Sequence, residues 1–134
     1  MSSAKERAIE IRNDSSMMKN CSETIMMAYA DELGFTQEQA AAIATNFGGG
    51  MKCGATCGAI TGALMVLGAL GINNPKAISQ FHKMMRDNHS GMTDCVDLLR
   101  ENAAKGNDKK SHCDAMIYEA IDLVERLREE YNNK

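Results

Sequence analysis

Cys113, Ile117, Ala120, Val124, Leu127 and Tyr131 recur at intervals of four and three, the spacing of one helix face and incompatible with the two-residue repeat of a strand. The same period marks Ala4, Ala8 and Ile11 near one end and Ile78, Phe81 and Met85 in the middle. No run of β-branched residues bounded by turns reads as a strand. The chain has one proline, no tryptophan and 11 methionines, so its core must be built from Ala, Leu, Ile and Met, which suit closely packed helices. The expected fold is all-α, a compact bundle of about six to seven helices. With 134 residues it is read as one domain spanning 1–134, its core running from about residue 4 to 130.

Local signals place the helices. The first runs from about Ala4 to Asn13. The second begins at Asn20, where Glu23 can complete a capping box, and stops at Gly34. Thr36 and Gln39 can cap a third, which continues through Ala40, Ala41, Ala42 and Ala44 to the glycines Gly48, Gly49 and Gly50. A fourth should start at Thr56 or Cys57 and end near Gly71. No charge occurs between Cys53 and Pro75, so this segment reads as a buried central helix; its glycines and short apolar stretch argue against a membrane span. Gly58 and Gly62 share a face and permit a close backbone approach. Pro75 opens a fifth helix, and a short one is expected from Thr93 to about Asn102. A polar linker, Lys105 to Lys110, precedes the last helix, with Ser111 and Asp114 as its caps. Whether that helix and the fourth pack within one chain or against a second copy in a homodimer is open at this level.

A net charge of −3 and a pI near 5.6 argue against a nucleic-acid partner, and the Lys109, Lys110 pair is too small to alter that. The first twenty residues carry Lys5, Glu6, Arg7, Glu10, Arg12 and Asp14 without an apolar segment, so no targeting signal is read and the cytoplasm is the expected compartment. Widely spaced cysteines there are redox-active or metal-binding sooner than a permanent disulfide framework.

Four of the five cysteines follow a candidate cap by one or two residues: Asn20 and Cys21, Thr56 and Cys57, Thr93 and Cys95, Ser111 and Cys113. A helix start carries roughly half a positive charge, which favours thiolate and can draw a cysteine pKa from about 8.5 toward neutrality. Cys21, Cys57, Cys95 and Cys113 are therefore the candidate redox thiols or metal ligands, with Cys53 as an additional ligand candidate. Such thiolates can hold an iron–sulfur cluster, form two reversible disulfides or bind zinc, although the paired spacing of a zinc ribbon is missing. Gly48, Gly49, Gly50 and Gly58 form a glycine-dense approach that can cradle an anion or cluster, or simply turn the chain; no nucleotide fingerprint is present. No haem-attachment sequence occurs. His112 beside Cys113 reads as a solvated first-turn residue, and His82 and His89 as surface positions. Glu125, Glu129 and Glu130 alternate with Arg126 and Arg128 as a salt-bridged face.

These residues resemble a family of redox-active proteins named after a Cys, Gly-Cys-Ala-x-x-Gly, Cys, Cys signature. Asn20-Cys21 resembles its first position, Phe47-Gly48-Gly49-Gly50 its glycine run, Cys57-Gly58-Ala59-Ile60-Thr61-Gly62 its central motif, and Cys95 and Cys113 its last two cysteines. The resemblance spans about residues 4 to 130. It departs from the pattern in the order Cys-Gly-Ala and in the extra Cys53. The resemblance implies a small helical protein with a cysteine-based redox or cluster site and an unidentified redox partner protein; related domains occur fused to haem modules.

Overall fold

The computed structural model describes residues 3–132, side chains through Tyr131. Seven α-helices occur among them: α1 (Ser3–Asn13), α2 (Cys21–Leu33), α3 (Gln37–Ala44), α4 (Gly58–Ala69), α5 (Pro75–Asn88), α6 (Cys95–Ala104) and α7 (Lys109–Asn132). No strand is present among the described residues. A single 3-10 turn, Thr45–Phe47, extends α3, and Gly50–Gly54 forms an irregular loop in which Met51 and Lys52 take left-handed φ values of 57° and 58°.

Both expected capping boxes form. Asn20 accepts from the Glu23 amide while Glu23 accepts from the Asn20 amide, each at 2.9 Å. Thr36 and Gln39 repeat the arrangement at 3.0 and 2.9 Å. Gly34 closes α2 in the left-handed region at φ 81°, and Pro75 stands in the first turn of α5.

Two expectations are corrected. The last helix starts at Lys109, not after a linker ending at Lys110, because the Asp108 side chain accepts the Ser111 amide at 3.0 Å; Ser111 and Asp114 lie inside the helix. The centre of the packing is also not α4 alone. Helix α2 touches α1, α3, α4 and α7, and its residues from Thr24 to Ala30 are all buried, whereas Gly68 and Ala69 of the more apolar α4 reach the surface. The inward face of α7 is as its period predicts: Ile117, Ala120, Val124 and Leu127 are buried, with Cys113 and Tyr131 half-buried at either end. Helices α4 and α7 pack on each other within the chain.

The buried hydroxyls that this tight core admits are satisfied. Ser22 donates to the Ala44 carbonyl at 2.7 Å, Thr24 to the Asn20 carbonyl at 2.7 Å, and Tyr29 to Glu125 at 2.7 Å. Since an unpaired buried polar atom costs about 1–3 kcal/mol, the Ser22 and Tyr29 bonds hold α2 in one register against α3 and α7.

Candidate functional site: a four-thiol cavity beside a cationic cleft

The four expected cysteines come together. The Cys57 amide donates to the Thr93 carbonyl at 2.8 Å and the Cys95 amide to the Ala55 carbonyl at 2.6 Å, an isolated antiparallel bridge centred on Thr56 and Asp94. This bridge clamps the starts of α4 and α6 side by side. Cys21 reaches them because position 58 is glycine: a Cβ there would stand 3.1 Å from the Phe47 carbonyl oxygen and 3.3 Å from Cys21 Cβ. Packing of α7 on α1 and α2 supplies Cys113. All four line one cavity of about 10 Å³, walled also by Leu98, Leu99, His112 and Met116.

The thiols are not all at helix starts. Cys21 and Cys95 are the first residues of α2 and α6, and Cys57 is the N-cap of α4, but Cys113 sits at the start of the second turn of α7. Of the four cap side chains expected beside the cysteines only Asn20 bonds as anticipated; Thr56 is a bridge residue, and Thr93 serves the bridge through its carbonyl.

The electrostatics reverse the simple expectation. Cys113, away from a helix start, is the thiol held low, at about 7: it accepts the S–H of Cys21, and the cations of Arg12 and Lys109 lie near, against opposing burial and the Asp114 carboxylate. Cys21 is pushed well up, first by donating to Cys113 and then by burial. Burial raises Cys57 to about 11 although the Ala59 and Ile60 amides face its sulfur, and burial also raises Cys95. For these three, desolvation and neighbouring sulfurs outweigh the half charge of a helix end. The result is a donor–acceptor pair, Cys21 and Cys113, next to two neutral thiols.

Sequence reasoning missed Arg12. Its Nε donates to Asp114 Oδ1 at 2.5 Å and its Nη1 to the Lys19 carbonyl at 2.8 Å, which fixes a cation beside Cys21 and Cys113. The available signal was its place four residues after buried Ala8, on the inward face of α1. His112 is likewise not a solvated residue. It is half-buried on the cavity wall, and burial lowers its pKa, so the ring is neutral near pH 7. His89 is half-buried as well and bonds Glu119 at 2.9 Å.

A cleft of about 660 Å³ opens beside the thiols, lined by Cys21, Cys95 and Cys113 with Arg12, Asn20, Lys109, Lys110, Val96, Leu99, Gly49 and Gly54. The other glycines shape the backbone: a Cβ at Gly48 would overlap the Asn20 side chain and one at Gly50 would overlap Ala55. Cys53 lies outside both spaces, exposed in its loop, with its thiol 3.4 Å from the Gly50 carbonyl oxygen. A cavity of about 10 Å³ barely admits one water, and among the described residues no three His, Cys, Asp or Glu side chains converge to hold a metal ion. As placed, the four thiols enclose no space for an iron–sulfur core and do not converge as ligands of one zinc ion.

The helical scaffold and its gathered sulfurs define a cysteine-cluster protein. The family model described as "Putative redox-active protein (C_GCAxxG_C_C)" matches residues 19–127, and the chain belongs to that family. No curated protein and no solved structure matches. Among the described residues no helix is long and apolar enough to cross a membrane.

Proposed function

We propose that the protein is a thiol–disulfide redox protein in which Cys113 is the attacking thiolate and Cys21 the resolving thiol. The observation that carries this reading is the meeting of Cys21 and Cys113 on the wall of one cavity with Arg12 beside them, which sets a thiol favoured as thiolate next to a second thiol. A thiolate near pKa 7 is close to the optimum for exchange at neutral pH, being both abundant and still nucleophilic. In a cycle, Cys113 Sγ attacks a disulfide and expels one thiolate, leaving a mixed disulfide. Cys21 then loses its proton, attacks Cys113 Sγ and expels the second thiolate. Two protein thiols are oxidised, one disulfide is reduced, and the two protons end on the released thiols. A protein dithiol as redox partner would return the pair to its reduced state. Cys57, buried, and Cys95, on the cleft wall, are both held neutral by burial and take no part in this cycle. The compartment that suits this cycle is the reducing cytoplasm.

The test is an ultraviolet–visible spectrum of protein purified without oxygen, with metal analysis, a thiol count before and after mild oxidation, and peptide mapping. Colourless, metal-free protein that loses two thiols together and yields a Cys21–Cys113 linked peptide supports the reading. Absorption over roughly 320 to 450 nm with stoichiometric iron, or stoichiometric zinc, overturns it in favour of a four-cysteine metal centre.

A further inference from the structure

Besides its three thiols, the cleft has a second character, which is charge. Arg12, Lys109 and Lys110 line it and no carboxylate does. Asp114, bonded to Arg12 and Lys110 at 2.5 and 2.9 Å, offsets one of these three charges. Lys109 has no ion pair among the described residues and lies close enough to bias both Cys95 and Cys113. Val96, 45% exposed, and Leu99 add apolar surface to the same lining. Its volume of about 660 Å³ lies within the range of small-molecule sites, roughly 300–1,000 Å³.

We propose that this cleft is a substrate site for a small disulfide that carries carboxylates, its anionic groups held by Lys109 and its neighbours and its S–S bond laid against Cys113. The inference rests on the thiol-pair reading and adds the substrate class. The first exchange forms a Cys113–substrate disulfide and releases one carboxylate-bearing thiolate; attack by Cys21 releases the other, each leaving with a proton from the protein thiols. A positively charged cleft raises the local concentration of such a substrate and pays no desolvation of a like charge, so the preference is visible mainly in the second-order rate and at low salt.

Three disulfides test it on the full chain: glutathione disulfide, which is anionic, bis(2-hydroxyethyl) disulfide, which is neutral, and cystamine, which is cationic. The rate of Cys21–Cys113 oxidation by each is divided by the rate of the same disulfide with free dithiothreitol, which removes differences in leaving group. The expected order is anionic, neutral, cationic, with at least tenfold between the first and the last at low salt and near equality at about 1 M salt, where screening acts within about 3 Å. Lys109→Glu, at a surface position, should cut the anionic-to-neutral ratio at least fivefold; a ratio cancels any change in thiolate content. Equal normalised rates for the three disulfides, or a ratio unmoved by Lys109→Glu, overturn the substrate assignment while leaving the thiol pair standing. Failure of all three to oxidise the pair overturns both readings.

Discussion

Arg12 donates to Asp114 at 2.5 Å and thereby pins α1 to α7 one residue from the sulfur of lowest pKa. The two charges act on Cys113 in opposite senses: the guanidinium favours its thiolate and the carboxylate disfavours it. Arg12→Met should raise the Cys113 pKa and slow its alkylation at pH 7 several-fold. Asp114→Asn should lower the pKa and speed alkylation at pH 6. Both variants lose a half-buried charged hydrogen bond and should be less stable by about 1.5–3 kcal/mol. Since stability falls in both while reactivity moves in opposite directions, a shared structural collapse is distinguishable from electrostatic control; reactivity moving the same way in both would refute the latter.

The pH profile of Cys113 alone gives a second prediction. With a pKa of about 7, below that of an ordinary cysteine, its alkylation should rise with pH and level off above about 8. The largest cause of the shift is the Cys21 S–H, so Cys21→Ala should move the midpoint upward and leave less thiolate at pH 7. Linkage has a matching sign: a depressed thiol adds stability above the unfolded pKa and loses it as pH falls through about 7. Site-resolved mass spectrometry is needed because the exposed Cys53 also reacts. A wild-type midpoint near 9, unchanged in Cys21→Ala, contradicts the paired geometry.

The bridge between Thr56 and Asp94 makes a third prediction, about opening. The amides of Cys57 and Cys95 donate across one two-bond unit, at 2.8 and 2.6 Å, so whatever separates α4 from α6 frees both. In native-state hydrogen exchange the two amides should show the same opening free energy, within about 0.5 kcal/mol, and the same denaturant dependence. Oxidation of Cys21 to Cys113 leaves this bridge untouched and should not change it. Independent exchange of the two amides would mean that the cavity is not held as one unit.

Much of this architecture is legible in local chemistry. Caps at Asn20 and Thr36, the proline at 75 and the period of α7 are each decided within one or two turns of chain, and each is found in the structure. The gathering of Cys21, Cys57, Cys95 and Cys113 also follows the motif. What was hidden depends on distant partners. Asp108 captures the start of α7 from Ser111, and so turns Lys109 and Lys110 from linker residues into the wall of a cleft. The reversal of thiol pKa values is hidden for the same reason, because burial and a second sulfur enter only when helices far apart in sequence meet.

Three glycines of α4 provide the sharpest check on how that meeting is achieved. A Cβ at Gly58 would stand 3.1 Å from the Phe47 carbonyl oxygen and 3.3 Å from Cys21 Cβ, and one at Gly62 would stand 3.2 Å from Ser22 Cα. At Gly68 nothing lies within 4 Å. All three substitutions to alanine favour the helix by about 0.5–1 kcal/mol, since alanine loses less backbone freedom than glycine. At 58 and 62 that gain is opposed by backbone that cannot retreat without separating α4 from α2, with overpacking costs of about 1–3 kcal/mol. Chemical denaturation should therefore find Gly68→Ala more stable than the parent, and Gly58→Ala and Gly62→Ala less stable. Gly58→Ala alone should also change the reactivity of Cys113, because of the three only the Cβ at position 58 meets Cys21, at its Cβ, and Cys21 is the largest influence on the Cys113 pKa. If Gly58→Ala lowers stability but leaves the Cys113 profile intact, the close approach serves packing and not the thiol pair.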